Sequence, residues 1–225
     1  EINVATAVQP GSMTVNNTAQ AYTFTNFGIT TLGTLDKRGA NVLALANDGN
    51  GFSGPILIEE GTLSIGNGGT NGSLGSGPIT NNGALVLNRA SGGATLAGTI
   101  SGPGSIRVTG GGGTLILNAS NSYTGPTIIE SNCALHFYNN RALGDAGTGT
   151  QVLAGGRLGI ALLGNWTVPE PVEINGPGLN DYPGALYVNT VSNNVVWTGP
   201  ISVASPSRIR VVNNYARLTL SNTVI

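Results

Sequence analysis

The run from Val42 to Glu59 recurs from Thr114 to Glu130 with the same order of residue types, and this repetition limits what the chain can fold into. Each copy opens on alternating residues, Leu43 and Leu45 in one, Leu115 and Leu117 in the other. Alternation with period two marks a strand with one buried face. A compact polar turn follows, ending in Gly54-Pro55 or Gly125-Pro126, and an aliphatic segment begins a second strand. A third copy starts at Arg217-Leu218-Thr219-Leu220-Ser221-Asn222 and breaks off at Ile225. Leu43 and Leu115 lie 115 − 43 = 72 residues apart, whereas the Gly-Pro pairs lie 125 − 54 = 71 apart, so one residue is gained or lost in the turn.

A second comparison joins the middle of the chain to its end. Gly83-Ala84-Leu85-Val86-Leu87-Asn88 reappears as Gly184-Ala185-Leu186-Tyr187-Val188-Asn189, 101 residues later, and Ile106 reappears as Ile209 at an offset of 103. The two long periods differ, which points to an inserted loop segment near 164–183, rich in proline, with some structure of its own. Inside the long units lies a shorter beat: Leu43, Leu63, Leu85 and Ile106 are spaced by 20, 22 and 21 residues. Such a period, with short strands between Gly, Asn and Pro, is what stacked coils of a β-solenoid require. About ten to eleven coils at roughly 4.8 Å each would make a rod on the order of 50 Å long.

Composition agrees with an all-β chain. Gly accounts for 36 of 225 residues, hydrophobic residues for 40% and charged residues for only 8%, so the chain is too apolar and too weakly charged for disorder. Glycine is expected to supply positive φ at the corners. A β-sandwich is the competing architecture, and Asn82-Gly83 between Ile79 and Leu85 is a two-residue hairpin signal in its favour. A formal charge of −1 with nine scattered Lys and Arg excludes a phosphate-binding stripe and argues against a nucleic-acid partner. No apolar run approaches the roughly 20 residues of a transmembrane segment. One cysteine, Cys133, excludes an internal disulfide framework. The first residue is Glu1, so the reading expects a processed chain or an excerpt.

A parallel β-helix can carry polysaccharide-cleaving chemistry, which needs clustered carboxylates, often with Ca²⁺. Glu59 and Glu130 fall at the same place in two copies and read as solvated corners. Asp48-Gly49-Asn50-Gly51 starts a Ca²⁺-loop pattern but has Phe52 and Ser53 where a ligand and a glycine belong, and reads as an Asx-type turn. Gly110 to Gly113 lacks the Lys and helix of a phosphate cradle and reads as a corner. His136, the single histidine, lies between Leu135 and Phe137 and faces outward. Trp197, at the place of Leu96, is assigned to the core; Tyr187 should point out; Trp166 fits either side. Arg107 and Arg210 are expected to share one outward column, and Cys133 to be buried and inert. On this reading there is no catalytic constellation, no metal site and no cofactor.

The motif resembles the autotransporter-associated β-strand repeat found in large surface proteins of Gram-negative bacteria. The better copy runs from Thr114-Leu115-Ile116-Leu117 through Asn121, Tyr123, Gly125, Thr127 and Ile129 to Leu135. The first keeps Leu43, Leu45, Gly54, Ile58, Gly61, Thr62 and Leu63, with Phe52 for the tyrosine, and Gly28 to Gly39 is similar to the segment that commonly precedes the repeat. Asn132-Cys133-Ala134 departs from the usual Gly-Thr. The resemblance implies a right-handed parallel β-helix forming a secreted stalk or adhesin body, extracellular or on the cell surface. The expectation is therefore a single β-solenoid segment over 1–225, an excerpt of a longer chain or one unit of an assembly. Its role would be structural and non-enzymatic. Its partners would be copies of itself or the continuation of its own chain through exposed strand edges, with host or matrix glycans as further candidates. The alternative is a carbohydrate-binding or polysaccharide-cleaving β-helix.

Overall fold

A computed structural model describes residues 1–161, 165–180, 183–189 and 194–222. Every strand pair among them is parallel, and the strands stack on three faces of a β-solenoid of about ten turns. Face one is a ten-stranded sheet. Its first five members are β1 (Ile2–Val4), β3 (Tyr22–Asn26), β6 (Val42–Leu45), β9 (Thr62–Ile65) and β11 (Ala84–Asn88). It continues through β14 (Ser105–Thr109), β16 (Thr127–Ile129), β18 (Thr150–Val152), β21 (Val172–Ile174) and β24 (Ile201–Val203). Face two starts with the pair β4 (Thr30–Thr31) and β7 (Gly51–Phe52). It resumes as β12 (Gly93–Leu96), β15 (Thr114–Leu117), β17 (Ala134–Phe137), β19 (Arg157–Ile160), β22 (Leu186–Val188) and β25 (Ile209–Val211). Face three has β2 (Met13–Asn16), β5 (Leu35–Arg38), β8 (Ile56–Ile58), β10 (Ile79–Asn81) and β13 (Ile100–Ser101). After two irregular coils it has β20 (Trp166–Val168), β23 (Asn194–Trp197) and β26 (Arg217–Leu220).

Period-two alternation turns one side of every strand inward, and the parallel register stacks like on like. Leu43, Leu63, Leu85 and Ile106 form one inward column on face one. Leu115, Leu135, Leu158 and Leu186 form another on face two, and Leu35, Ile56, Ile79 and Ile100 a third on face three. All are buried and belong to one hydrophobic cluster that runs along the axis. Burying each such side chain is worth about 1.5–3 kcal/mol.

The corners correct one expectation. Asn82-Gly83 makes no hairpin; it is the bend between β10 and β11, and Gly83 does not have a positive φ. What requires glycine there is closeness: a Cβ on Gly83 would run into the carbonyl of Gly61 beneath it, and the same holds for Gly104 over Gly83 and Gly125 over Gly104. Gly54, Gly77 and Gly98 stack likewise at another corner. Left-handed glycines exist, Gly111 among them, but close approach explains the corner columns.

The inserted segment near 164–183 is narrower than its sequence bounds, and Gly164 lies outside the described residues. Trp166–Val168 pairs with Val195–Trp197 and Val172–Ile174 pairs with β18 and β24, so these residues are regular members of faces three and one. Three register intervals are long: Leu158 to Leu186 is 186 − 158 = 28, Trp166 to Val195 is 195 − 166 = 29, and Val172 to Ile201 is 201 − 172 = 29. The intervals before and after them, Thr150 to Val172 and Leu186 to Ile209, are 22 and 23. Only the stretch from Val172 to Leu186 is common to the three long ones. The extra residues therefore sit after β21, where a bridge joins Gly178 to Gly184.

Candidate functional site

The repeat cassette places its conserved-looking polar residue inside the solenoid. In the first copy Asn50 Oδ1 accepts from the amide of Ile29 in the coil below at 2.9 Å, while its Nδ2 donates to the carbonyl of Ser73 in the coil above, also at 2.9 Å. In the second, Asn121 Oδ1 accepts from Ile100 N at 2.8 Å and Nδ2 donates to Ala142 O at 2.6 Å. One buried amide thus ties three coils together where the strand ladder is irregular. Two residues on, the aromatic ring of Phe52 or Tyr123 fills the core, and Gly75 or Gly144 of the next coil lies directly over it. The turn is architecture in both copies.

The residues weighed as chemistry are mostly spent on similar work. The Asp48 carboxylate accepts from the amide of Gly72 at 2.9 Å, the backbone bond of an Asx-type turn made to the next coil. Glu130 takes the guanidinium of Arg107 and the hydroxyl of Thr109; that hydroxyl first, then Arg107, holds its carboxyl below the usual range against a partial burial penalty. Glu59 meets only Asn82 Nδ2, at 3.5 Å. Arg107 and Arg210 do not share a column: Arg107 lies on β14 of face one and Arg210 on β25 of face two. The run Gly110 to Gly113 is a corner whose amides at Gly111, Gly112 and Gly113 face the buried Cys133 sulfur, and burial pushes that thiol up.

His136 is in outward register, half-buried over Gly159, where a Cβ would strike its ring. Burial, and then the charge of Arg157, lower its pKa. Tyr187 is also in outward register yet is only 8% exposed, because the Arg157 guanidinium lies 4.4 Å from its ring centroid. Trp197 is in the core, edge-on to Phe137 with centroids 6.4 Å apart, and Trp166 packs partly buried against the same cluster. The aromatic residues therefore do not assemble into an exposed sugar-stacking platform. Among the described residues there is no group of three His, Cys, Asp or Glu side chains placed to hold a metal ion. No helix is long and apolar enough to cross a membrane.

Two buried ionisable groups escape a sequence reading. Lys37, the single lysine of the chain, is fully buried. It stands in the inward column between Val15 and Ile58, and its ammonium donates to the carbonyls of Arg38, Gly39 and Glu60 at 2.9, 2.6 and 3.0 Å. Burial lowers its pKa. Period two did carry a signal for it, since Lys37 follows the inward Leu35 by two. Glu170 is the second, 3% exposed. Its Oε1 accepts from Thr150 Oγ1 at 2.8 Å, and its main-chain carbonyl takes the Trp197 indole N–H at 2.7 Å. Burial pushes its pKa up to about 7, the Thr150 bond acting against and the Asp145 charge with that shift. Thr127 and Thr150 stand where face one otherwise carries aliphatic side chains, between Ile106 and Val172, and Thr127 Oγ1 meets the Tyr123 hydroxyl at 2.7 Å. Nothing in Pro169-Glu170-Pro171 as a sequence marks this carboxyl as internal.

Two segments, residues 35–65 and 109–131, match the family described as passenger-associated-transport-repeat. They cover the first and second copies of the cassette. The chain is also 55% identical over 56 residues to a protein named adhesin BmaC autotransporter from Brucella suis biovar 1 (strain 1330). That match takes in 24% of this chain and 2% of the relative, so the likeness covers a small fraction of the relative's length. No solved structure matches. The chain therefore carries the autotransporter-associated repeat in two places, on a parallel β-solenoid.

Proposed function

We propose that the chain is a non-catalytic segment of an extracellular stalk or adhesin body on a Gram-negative-type cell surface. One observation carries the reading: the passenger-type repeat is spent on holding coil to coil. Its asparagine, aromatic ring and glycines are buried in that task, and Glu130 and Asp48 bond to neighbouring coils. The adhesin name of the matched relative supports the same role. The rod continues through its strand edges, onto further coils of its own polypeptide or onto a copy. At β24 and β25 the side chains of Val203 and Val211 are exposed, as they are where another coil would stack. Beads coated with the protein should be retained on cultured epithelial cells or matrix glycoprotein more than beads coated with the unfolded chain. Equal retention would remove the adhesive role. Release of unsaturated or reducing ends from a polysaccharide panel, abolished by substituting an acidic residue, would replace it with the carbohydrate-cleaving alternative.

A further inference from the structure

The face-two ladder is broken once in the middle of the rod. Phe52 N, on β7, donates to the carbonyl of Leu74 at 3.0 Å, and there the first part of the face ends. The next coil contributes β12, whose sheet partner is β15. Among the described residues no backbone hydrogen bond joins 73–76 to 93–97. The irregular coils of face three are different, because there Ser122 N reaches Ile100 O and Asp145 N reaches Tyr123 O, each at 2.9 Å. The break is also closed at both ends, since Ala90 N bonds Gly69 O and Ile79 N bonds Thr99 O, each at 2.8 Å.

The direction of the free groups follows from the bonds on the other side. Thr114 N donates to Gly92 O and Asn118 N to Leu96 O, so those carbonyls of β12 face β15. Groups on a strand alternate sides in a parallel ladder, so the N–H and C=O of Thr95 face the break. The carbonyl of Gly93 does too, and the Arg89 guanidinium reaches it at 3.1 Å. A groove of about 430 Å³ lies there, within the range of roughly 300–1,000 Å³ typical of ligand sites. One wall runs from Gly72 to Ser76 and the other from Gly93 to Ala97, with Asp48 and Arg89 at its rim.

The geometry points to this groove as an acceptor for an extended, uncharged peptide strand with small side chains, supplied by a partner polypeptide and laid along β12. An open strand edge is a template for main-chain pairing, and alternate side chains then need pockets. Glycine at 72, 75 and 93 lets a backbone come close. Charge on the partner is not called for. Asp48 is bonded to Gly72 N, and Arg89 to the carbonyls of Gly72, Thr70 and Gly93, so both rim charges already clip the walls together. This inference stands independently of the adhesin reading, because it depends only on the broken ladder.

The test uses the whole chain and a fluorescent acetyl-Ala-Thr-Ala-Thr-Ala-amide probe, with a version N-methylated at alternate residues. Saturable binding is expected, weakened at least tenfold by N-methylation and by Thr95→Pro. Proline is tolerated at an open edge because it removes a donor that pairs with nothing in the sheet. On binding, the Thr95 amide should slow in hydrogen exchange at least tenfold, while the Thr114 amide, already paired, should not change. Three outcomes would overturn the proposal. The Thr95 amide could be as protected as Thr114 in the free chain, binding could be indifferent to N-methylation, or a neutral oligosaccharide could protect Thr95 where the peptide does not. If Thr95→Pro unfolds the chain, the N-methylated probe and the exchange measurement still decide.

Discussion

Glu170 makes the stability of this solenoid depend on pH near neutrality. Its carboxyl pKa is raised from 4.5 to about 7, mainly by burial, partly offset by the Thr150 hydroxyl and reinforced by Asp145. A carboxyl raised in the folded state favours folding while it is neutral. That stability is complete below the unfolded value and is lost as pH rises through the folded one. The shift is 7 − 4.5 = 2.5 units, and at about 1.4 kcal/mol per unit it is worth about 3 kcal/mol over the whole window. Between about pH 5 and pH 8.5 the loss should be roughly 2–3 kcal/mol. The titratable groups that act on this carboxyl's surroundings are Asp145 and Tyr123, and burial holds the Tyr123 phenol protonated well above this range.

Each coil of a solenoid touches only its neighbours, so the loss should be local. Amide exchange on β18, β21 and β23 should speed up between about pH 5 and pH 8.5, after correction for the intrinsic rate. Exchange on β6 and β9, at the other end of the same molecule, serves as an internal standard and should not. Glu170→Gln keeps an oxygen for Thr150 and leaves the main-chain carbonyl for Trp197. It should make exchange on the three strands insensitive to pH and stabilise them by about 2 kcal/mol at the alkaline end. A wild-type response as flat as that of the Gln variant would refute the reasoning, for it would mean that the carboxylate ionises without losing its solvent.

Other consequences can be checked separately. Asn50→Ala and Asn121→Ala each orphan a buried amide, Ile29 N or Ile100 N, and a carbonyl, so each should cost roughly 2–4 kcal/mol in urea denaturation. Gly54→Ala should destabilise strongly because a Cβ there collides with the carbonyls of Leu32 and Gly33, while Gly11→Ala, with nothing within 4 Å, should be close to neutral; melting curves of the pair settle it. Lys37 should resist an amine-reactive reagent in the native chain and react after unfolding, with the α-amine labelled in both states, as read by peptide mass spectrometry.

The fold was legible because period two and a beat of 20 to 22 residues are direct images of the inward columns, Leu43, Leu63, Leu85 and Ile106. Trp197 could be assigned to the core by its correspondence with Leu96 for the same reason. What the columns do not encode is what lies over an outward position. Tyr187 and His136 face outward yet are partly covered, by Arg157 and by the hollow above Gly159. Glycine was misjudged at Gly83 because one residue type answers two needs, a left-handed φ and room for a neighbouring backbone, and sequence does not separate them. Glu170 was invisible because its burial depends on two threonines 20 or more residues earlier, each in a slot that an aliphatic residue fills in other coils.

The separation of Arg107 from Arg210 shows what the long repeat is. From Leu43 the chain passes β9, β11 and β14 on face one before reaching Leu115, which is on β15 of face two. From Leu115 it passes β17, β19, β22 and β25 before Leu218, on β26 of face three. A copy of the cassette therefore arrives a whole number of coils and one face later each time. This is possible because the cassette specifies a strand, a corner and a strand, while the face it lands on is set by the residues in between. Gly54 and Gly125 hold the same place in the motif but stand in different corner columns, over Gly33 and Gly104 respectively, and each fits because both corners need the same close approach. A motif of this kind fixes local bends and internal asparagine ties and leaves the outward surface free to vary, so equivalent residues in successive copies point in different directions around the rod.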